Sequence, residues 1–519
     1  MKIRGHILKV YKDLHTWVGI CAGIVLFIGF FAGALSMFKP ALDAWATPKA
    51  QQLRPLPLAE WSSHLAELSA RYPGLNAGYN LHLEGDLATL SWTPKPAGRR
   101  LDLDGERALA GLDEHGQFQV VQVVPSQLAG LVDLLHRTAG IPGNLGHEML
   151  GVLVMGVASG LYFLALVSGL ILLLPTLVKD FFALRQPSAK RFWLDTHNLL
   201  GLTSFPFHVL ISLSVVVFAF HDIFYDGLQQ SVYQQGNLFR FPTAQYQSGA
   251  SPLPPAQLVA KARAAAPEFE VQELSLSGLG SARASARAKA YSDRYFSRGA
   301  TGGFLTLDPY SGDVTLTDYL PEGSNGWGNA VNSFFTLHFG SFGGPVIKWV
   351  YFLLGLAGAA VFYTGNLLWL ESRRKRQRKD GSLPPQTLSS RIMGALTVGC
   401  CLGSVAGVVG AMLAAKWLQG SVGNINNWYL GLYYGLFLAV VVCCLLRGAG
   451  CAPALMRATA LLALAVPLGS LLGALGALSW PSTSLATLSV DATLLLGAGL
   501  LWWLAGIAAR RRAKDSVWA

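Results

Sequence analysis

The chain has 519 residues, of which 52% are hydrophobic and only 13% charged, with 57 glycines and a formal charge of +11. A soluble protein of this length would carry a far more charged surface. The composition therefore excludes a cytosolic enzyme, a disordered chain and a secreted disulfide scaffold. The positive charge does not mark a nucleic-acid binder either, because it is clustered beside apolar stretches and no basic recognition motif accompanies it.

A bilayer core needs about 20 apolar residues per helix. Eight stretches qualify, at approximately 15–38, 148–175, 197–221, 347–370, 392–415, 428–446, 458–480 and 490–509. The expected fold is an all-α polytopic membrane protein with about eight transmembrane helices. The first stretch is too long for a signal-peptide core and reads as a retained span. Basic residues flank the spans at Lys2, Arg4, Lys9 and Lys12, at Lys179, Arg185, Lys190 and Arg191, along Arg373 to Lys379, and at Arg510 to Arg512 with Lys514. With alternating crossings all of these fall on one side, which the positive-inside rule makes cytoplasmic, together with both termini. Trp17, Trp193, Trp349, Trp369 and Trp502 stand near the predicted interfaces.

The long segments between spans are nearly neutral: 39–146 carries 9 basic and 11 acidic residues, and 225–345 carries 8 and 9. Both are expected outside. The predicted organisation is 1–38 (tail and first span), 39–146 (first outer module), 147–224 (second and third spans), 225–345 (second outer module), 346–380 (fourth span and basic loop) and 381–519 (four further spans). The six cysteines, at 21, 400, 401, 443, 444 and 451, lie in or beside spans and lack zinc-ligand spacing. They read as small packing residues.

The chain repeats itself. DLHTWVGI at 13–20 opens the first span and DTHNLLGL at 195–202 the third. DLLHRTAGIPG at 133–143 precedes the second span and FTLHFGSFGG at 335–344 the fourth. LAGLDEHGQFQVVQV (109–123) and FLTLDPYSGDVTLTDY (304–319) each read strand, glycine turn, strand. The unit is helix, α+β module, helix, and its two copies run parallel. Parallel repeats are related by an axis along the membrane normal. Equivalent residues then face each other: His15 and His197 on the inner side, His136 and His338 on the outer side.

Histidine in an apolar span is costly and usually functional. Two imidazoles facing each other in a four-helix core suit a bis-histidine haem b. Gly19, Gly23, Gly201, Gly140, Gly340 and Gly343 would let a flat macrocycle approach the backbone. Zinc and a proton relay are the rivals, although carboxylate or cysteine partners at zinc spacing are missing. Asp13 and Asp195 read either as helix caps or as acceptors for the outer imidazole nitrogen. His208, eleven residues after His197, is a candidate extra ligand or a carrier between levels. His147 and His221 are candidates to ligate or line the outer site. His64, His82 and His115 read as surface residues of the first module, and His6 as part of the tail. No G-x-S-x-G, phosphate loop, H-E-x-x-H or dinucleotide-binding unit is present.

LHTWVG, LHRTAGIPG, RFWLDTHNLLGL, LHFGSFGG and LDPYSGDV together resemble the PepSY-associated transmembrane family over about residues 5–380. Within it, the chain is similar to iron-regulated inner-membrane proteins that include bacterial ferrisiderophore reductases. The resemblance implies a duplicated four-helix core with two haem b groups on His15, His197, His136 and His338, and PepSY-like periplasmic modules at about 51–124 and 252–320. It implies reduction of a periplasmic Fe(III)-siderophore, or another ferric chelate, with release of Fe(II). Electrons would come from quinol or a redox protein. The alternatives are a haem protein serving another periplasmic acceptor and a non-redox transporter or regulatory protein. Residues 391–510 exceed the shorter members and contain no histidine.

Overall fold

The computed structural model describes residues 4–48, 51–93, 101–185, 188–232, 243–246, 249–299, 302–317, 319–320, 326–374, 384–475 and 485–512. Lys2, Lys514 and the basic residues 375–379 lie outside them. Fifteen α-helices follow in chain order: α1 Gly5–Ser36, α2 Lys39–Ala46, α3 Trp61–Arg71, α4 Leu128–Thr138, α5 Leu150–Leu173, α6 Leu177–Asp180, α7 Ala189–Thr203, α8 Phe205–Ser231, α9 Pro255–Ala265, α10 Gly326–Phe339, α11 Gly344–Arg373, α12 Leu388–Trp417, α13 Ile425–Arg447, α14 Ala452–Ala474 and α15 Leu485–Arg512. Eight helices are long and apolar enough to cross a membrane, so the chain is a multi-pass membrane protein.

The chain divides into two compact units. The membrane unit holds Met1–Ala46, Ser126–Ile223 and Val350–Ala519, and the sheet unit holds Thr47–Pro125 and Phe224–Trp349. Both α2 and α4, which the sequence places in the first outer module, belong to the membrane unit.

The third span differs from the expected single helix. It breaks between α7 and α8 at Ser204, where φ is −100° and ψ 10°. Pro206 is the cause: without an N–H it cannot bond the preceding turn, and its ring crowds the carbonyl four residues back. The hydroxyls of Thr203 and Ser204 turn back to the carbonyls of Leu199 (2.7 Å) and Leu200 (2.5 Å).

The four C-terminal helices pack around α12, the most buried span. Gly399, Gly403 and Gly407 recur every fourth residue and admit α13 closely. A methyl built on Gly403 would stand 3.0 Å from the Phe437 carbonyl, and one on Gly407 2.7 Å from that of Tyr433. Small residues at this spacing are how helices approach where lipid removes the hydrophobic drive. At one end of α12, buried Lys416 donates to the Trp45 carbonyl (3.1 Å), and the Trp45 indole donates to Asp491 of α15 (3.1 Å). Cys401 and Cys444 are buried, and Cys21 is exposed.

The sheet unit contains β1 Leu56–Pro57, β2 Gly78–Glu84, β3 Leu87–Trp92, β4 Arg107–Leu112 and β5 Phe118–Val123. After the short membrane-unit hairpin β6 Asn144–Leu145 and β7 Glu148–Met149 come β8 Glu270–Ser277, β9 Ser285–Tyr291, β10 Gly303–Leu307 and β11 Val314–Leu316. Each half is a helix followed by a four-strand meander: α3 with β2 to β5, and α9 with β8 to β11. The two first strands pair, giving one antiparallel sheet in the order β11-β10-β9-β8-β2-β3-β4-β5, with β1 beside β3. What the sequence suggests as two modules thus shares one sheet. Pairing β2 with β8 removes two exposed edges.

One face of the sheet packs against α3 and α9 through Leu81, Leu90, Leu258, Leu274, Ala288 and Leu305, all fully buried. On the opposite face His82 lies 3.3 Å from Glu273 across the central pair. The hydrogen bond from His82 is the main cause that draws the Glu273 carboxyl down to about 2.

Leu81 and Leu274 are register partners at the joint between the halves. Leu81→Ala should destabilise the whole sheet by about 2–5 kcal/mol. Urea unfolding should show both halves melting in one transition, and two separated transitions would contradict a shared core.

Candidate functional site

The inner histidines meet. His15 on α1 and His197 on α7 face each other with ring centroids 6.1 Å apart and planes at 78°. The Nδ1–H of His15 donates to the Ala165 carbonyl of α5 at 2.8 Å, and that of His197 to the Val361 carbonyl of α11 at 3.1 Å. A carbonyl can only accept, so each ring carries its proton on Nδ1 and keeps a lone pair on Nε2. A metal–imidazole nitrogen bond is about 2 Å long. Two imidazoles sharing one metal through Nε2 therefore have centres about 6 Å apart, the spacing found here.

The surroundings repeat as the rings do. Ser168 lies 3.5 Å from His15 Nδ1, and Thr364 3.2 Å from His197 Nδ1. Gly169 and Gly365 lie under the rings: a methyl on Gly169 would stand 2.9 Å from His15 Cε1, and one on Gly365 3.4 Å from His197 Cε1. One turn past each histidine, Gly19 and Gly201 have nothing within 4 Å of an added methyl. The donor set and the clearance suit a flat bis-imidazole group. Among the described residues no three His, Cys, Asp or Glu side chains gather as a metal centre.

Asp13 and Asp195 fulfil neither role suggested by the sequence. Asp13 is exposed within α1, and α7 is capped by Ser188 instead. Asp195 is fully buried and takes Arg185 Nε (2.9 Å) and Arg191 Nε (3.0 Å), fixing the α6–α7 loop to α7. The second acceptors are backbone carbonyls, which leave no trace in residue identity.

His136, on α4, donates from Nδ1 to the Gly29 carbonyl of α1 at 2.9 Å. A methyl on Gly33 would lie 2.6 Å from that nitrogen, so glycine is required there. From His15 to Gly29 the helix rises about 21 Å. His338 lies on α10 in the sheet unit, 9% exposed, beside Phe339. His136 and His338 belong to different units.

His208 is fully buried. Its Nε2–H donates to Ser204 Oγ at 2.7 Å. Phe30 and Tyr162 surround it at 5.6 and 5.8 Å between centroids, and among the described residues neither its Nδ1 nor the Tyr162 hydroxyl has a hydrogen-bond partner. His147 is exposed in the β6–β7 turn, and His221 bonds the Phe218 carbonyl of its own helix at 2.8 Å. His64 stacks on Phe118.

Sequence reasoning missed two features. ALVSGLIL (165–172) and VFYTGNLL (361–368) place Ser-Gly and Thr-Gly in matching positions, a repeat hidden among apolar residues. The other is the hold of α13 on α4. Asn426 accepts from the Gln127 N–H (2.8 Å), Tyr429 meets Ser126 (3.1 Å), and the Tyr434 hydroxyl donates to the Gly140 carbonyl (2.8 Å). The helix bearing His136 is thus gripped at both ends. Its C-terminal turn includes Ala139 at φ 51°, a left-handed residue that costs about 1 kcal/mol and needs such support.

A family model described as PepSY-associated TM region matches residues 13–372, well over half of the chain, and the chain belongs to that family. Comparison with curated proteins returns no match.

Two outcomes are expected. Gly169→Val should displace the His15 ring and abolish any inner-site ligand spectrum while the protein still inserts and purifies. Tyr434→Phe with Asn426→Ala should speed amide exchange in α4 by about tenfold or more, since each lost bond is worth about 1 kcal/mol.

Proposed function

We propose that this member of the PepSY-associated transmembrane family is a haem-dependent ferric-chelate reductase. It would carry electrons across a bacterial inner membrane to a periplasmic Fe(III)-siderophore and release Fe(II). The observation that supports this most directly is the inner imidazole pair at 6.1 Å, each ring held through Nδ1 by a carbonyl of the second helix of its own repeat. Two haem b groups would supply one-electron chemistry when bound.

The chain's residues do the rest. His15 and His197 would hold the inner group, and His136, fixed on the Gly29 carbonyl, is the ligand the membrane unit offers to the outer one. Ala165 and Val361 carbonyls fix the tautomer and strengthen both imidazoles as donors. Gly169 and Gly365 leave space beside the rings. Arg185, Arg191 and Asp195 keep α7, and with it His197, in place. His208 stands in its aromatic cage against Phe30, one residue after the glycine that holds His136, and would be the carrier between sites. Hard oxygen donors of a siderophore hold Fe(III) far better than Fe(II), so adding one electron loosens the chelate without covalent catalysis. Basic flanks such as Lys9, Lys12, Lys179 and Lys190 support cytoplasmic termini, where quinol or a redox protein would donate.

The reduced-minus-oxidised spectrum of protein from haem-replete cells tests this reading. Sharp b-type bands are expected, and His15→Ala or His197→Ala should each remove about half of them. A colourless wild-type preparation would instead favour a non-redox transporter. Reduced protein that stays reduced when mixed with ferric siderophores would point to another acceptor.

A further inference from the structure

The sheet face opposite α3 and α9 carries a ladder of alternating cations and rings. The Arg287 guanidinium of β9 lies 3.4 Å over the Phe304 ring of β10. Phe304 stacks on Tyr319 with centroids 4.1 Å apart. Arg298 lies over Tyr319 at 4.6 Å and over Phe335 of α10 at 5.2 Å. Arg287 is exposed, and Phe304, Tyr319, Arg298 and Phe335 are each half-buried. The far rung, Phe335, stands one helical turn before His338, about 4.5 Å of rise.

A guanidinium stacked by its flat face is held in place while its in-plane N–H donors point outward. Neither Arg287 nor Arg298 has a hydrogen bond or ion pair among the described residues. The ladder thus sets two guanidinium cations against aromatic rungs, a set suited to a ligand that is both anionic and aromatic. Lys289, opposite Phe304 in the strand register, adds a third cation. Glu273, the register partner of Lys289, is also held by His82 at 3.3 Å and Ser275 at 3.0 Å, so one carboxylate faces three cations, Arg287, Lys289 and Arg298.

We propose that this ladder is the docking site for an anionic, aromatic ferric chelate of the tris-catecholate class. The inference rests on the reductase reading for its biological sense and names the substrate class within it. Three dianionic catecholates around Fe(III) leave a triply negative complex, whose oxygens accept the free guanidinium N–H groups. Their rings extend the stack. Three monoanionic hydroxamates around Fe(III) leave a neutral core that gains nothing from the cations.

The test uses the full chain in nanodiscs of zwitterionic lipid and the Ga(III) complex of a tris-catecholamide. Ga(III) matches Fe(III) in charge and is not reduced, so binding is measured whether or not the chain transfers electrons. Titration calorimetry should show binding that weakens with added salt. Arg287→Gln and Arg298→Gln should each weaken it about tenfold or more, since a hydrogen bond to a charged group is worth about 1.5–3 kcal/mol. The Ga(III) trihydroxamate should bind worse than the catecholate by a similar factor. Unchanged sheet melting would show that the variants remain folded, and the salt series needs no variant. Wild-type protein that ignores the catecholate complex, Arg variants that bind it equally well, or equal affinity for the trihydroxamate would overturn the assignment. Competition by inorganic phosphate at equal concentration would mark a general anion site and overturn it too. Binding of the gallium complex by a chain without b-type bands would uphold the docking site while removing the reductase reading.

Discussion

Two hydrogen bonds from imidazole to backbone set the character of the membrane core. An unpinned histidine in a span would rotate, exchange tautomers and seek any polar partner. Here the carbonyls of Ala165 and Val361 fix which nitrogen is protonated, so that Nε2 of each ring keeps its lone pair. Much else in the core serves that arrangement. Glycines under the rings set the helix approach, hydroxyls at Ser168 and Thr364 add a second contact, and the Asp195 ion cluster secures the loop that feeds α7. Because α1 pairs with α5, and α7 with α11, neither half of the repeat makes the pair alone.

The repeat is not symmetric, and its departures are informative. The first span is one continuous helix, whereas the third breaks before Pro206. The broken helix carries His208, where the first span has Leu26. Tyr162, on α5, takes the place that Gly358 holds on α11, and the glycine leaves room against His208. The result is a buried polar pair inside an aromatic cage, at a depth where an unpaired polar atom is costly. The C-terminal helices add a second departure. They touch the repeat through α2, α4, α1 and α11, where Asn366 donates to Thr397 at 3.3 Å, and so brace the segment with His136.

Much of this was legible in the residues. Eight spans, the duplicated His motifs and the inner pairing follow from apolar length, charge placement and repetition. Both β-hairpins read from their glycine turns. What escaped has physical reasons. The acceptors for the inner imidazoles are carbonyls, and every residue has one. Asp13 and Asp195 look like partners by proximity in sequence, yet helix geometry turns one to solvent and the other to arginine. Pro206 did announce the break, but a long apolar run hid it. The joining of the two modules depends on a strand pairing across two intervening spans, and no local pattern records it. Likewise, nothing within α4 shows that it depends on α13.

That strand pairing also bears on how the chain is made. Two crossings separate the segments that hold β2 and β8, so both emerge on the same side of the membrane. β2 and β8 nevertheless lie about 190 residues apart. At a synthesis rate of about 5–20 residues per second, the first half waits roughly 10–40 s for its partner. During that time β2 presents a bare edge beside Tyr79 and Leu81, which later become buried. Biogenesis must shield this edge, by a holding chaperone or by speed, or nascent copies will join one another through the strand meant for their own second half.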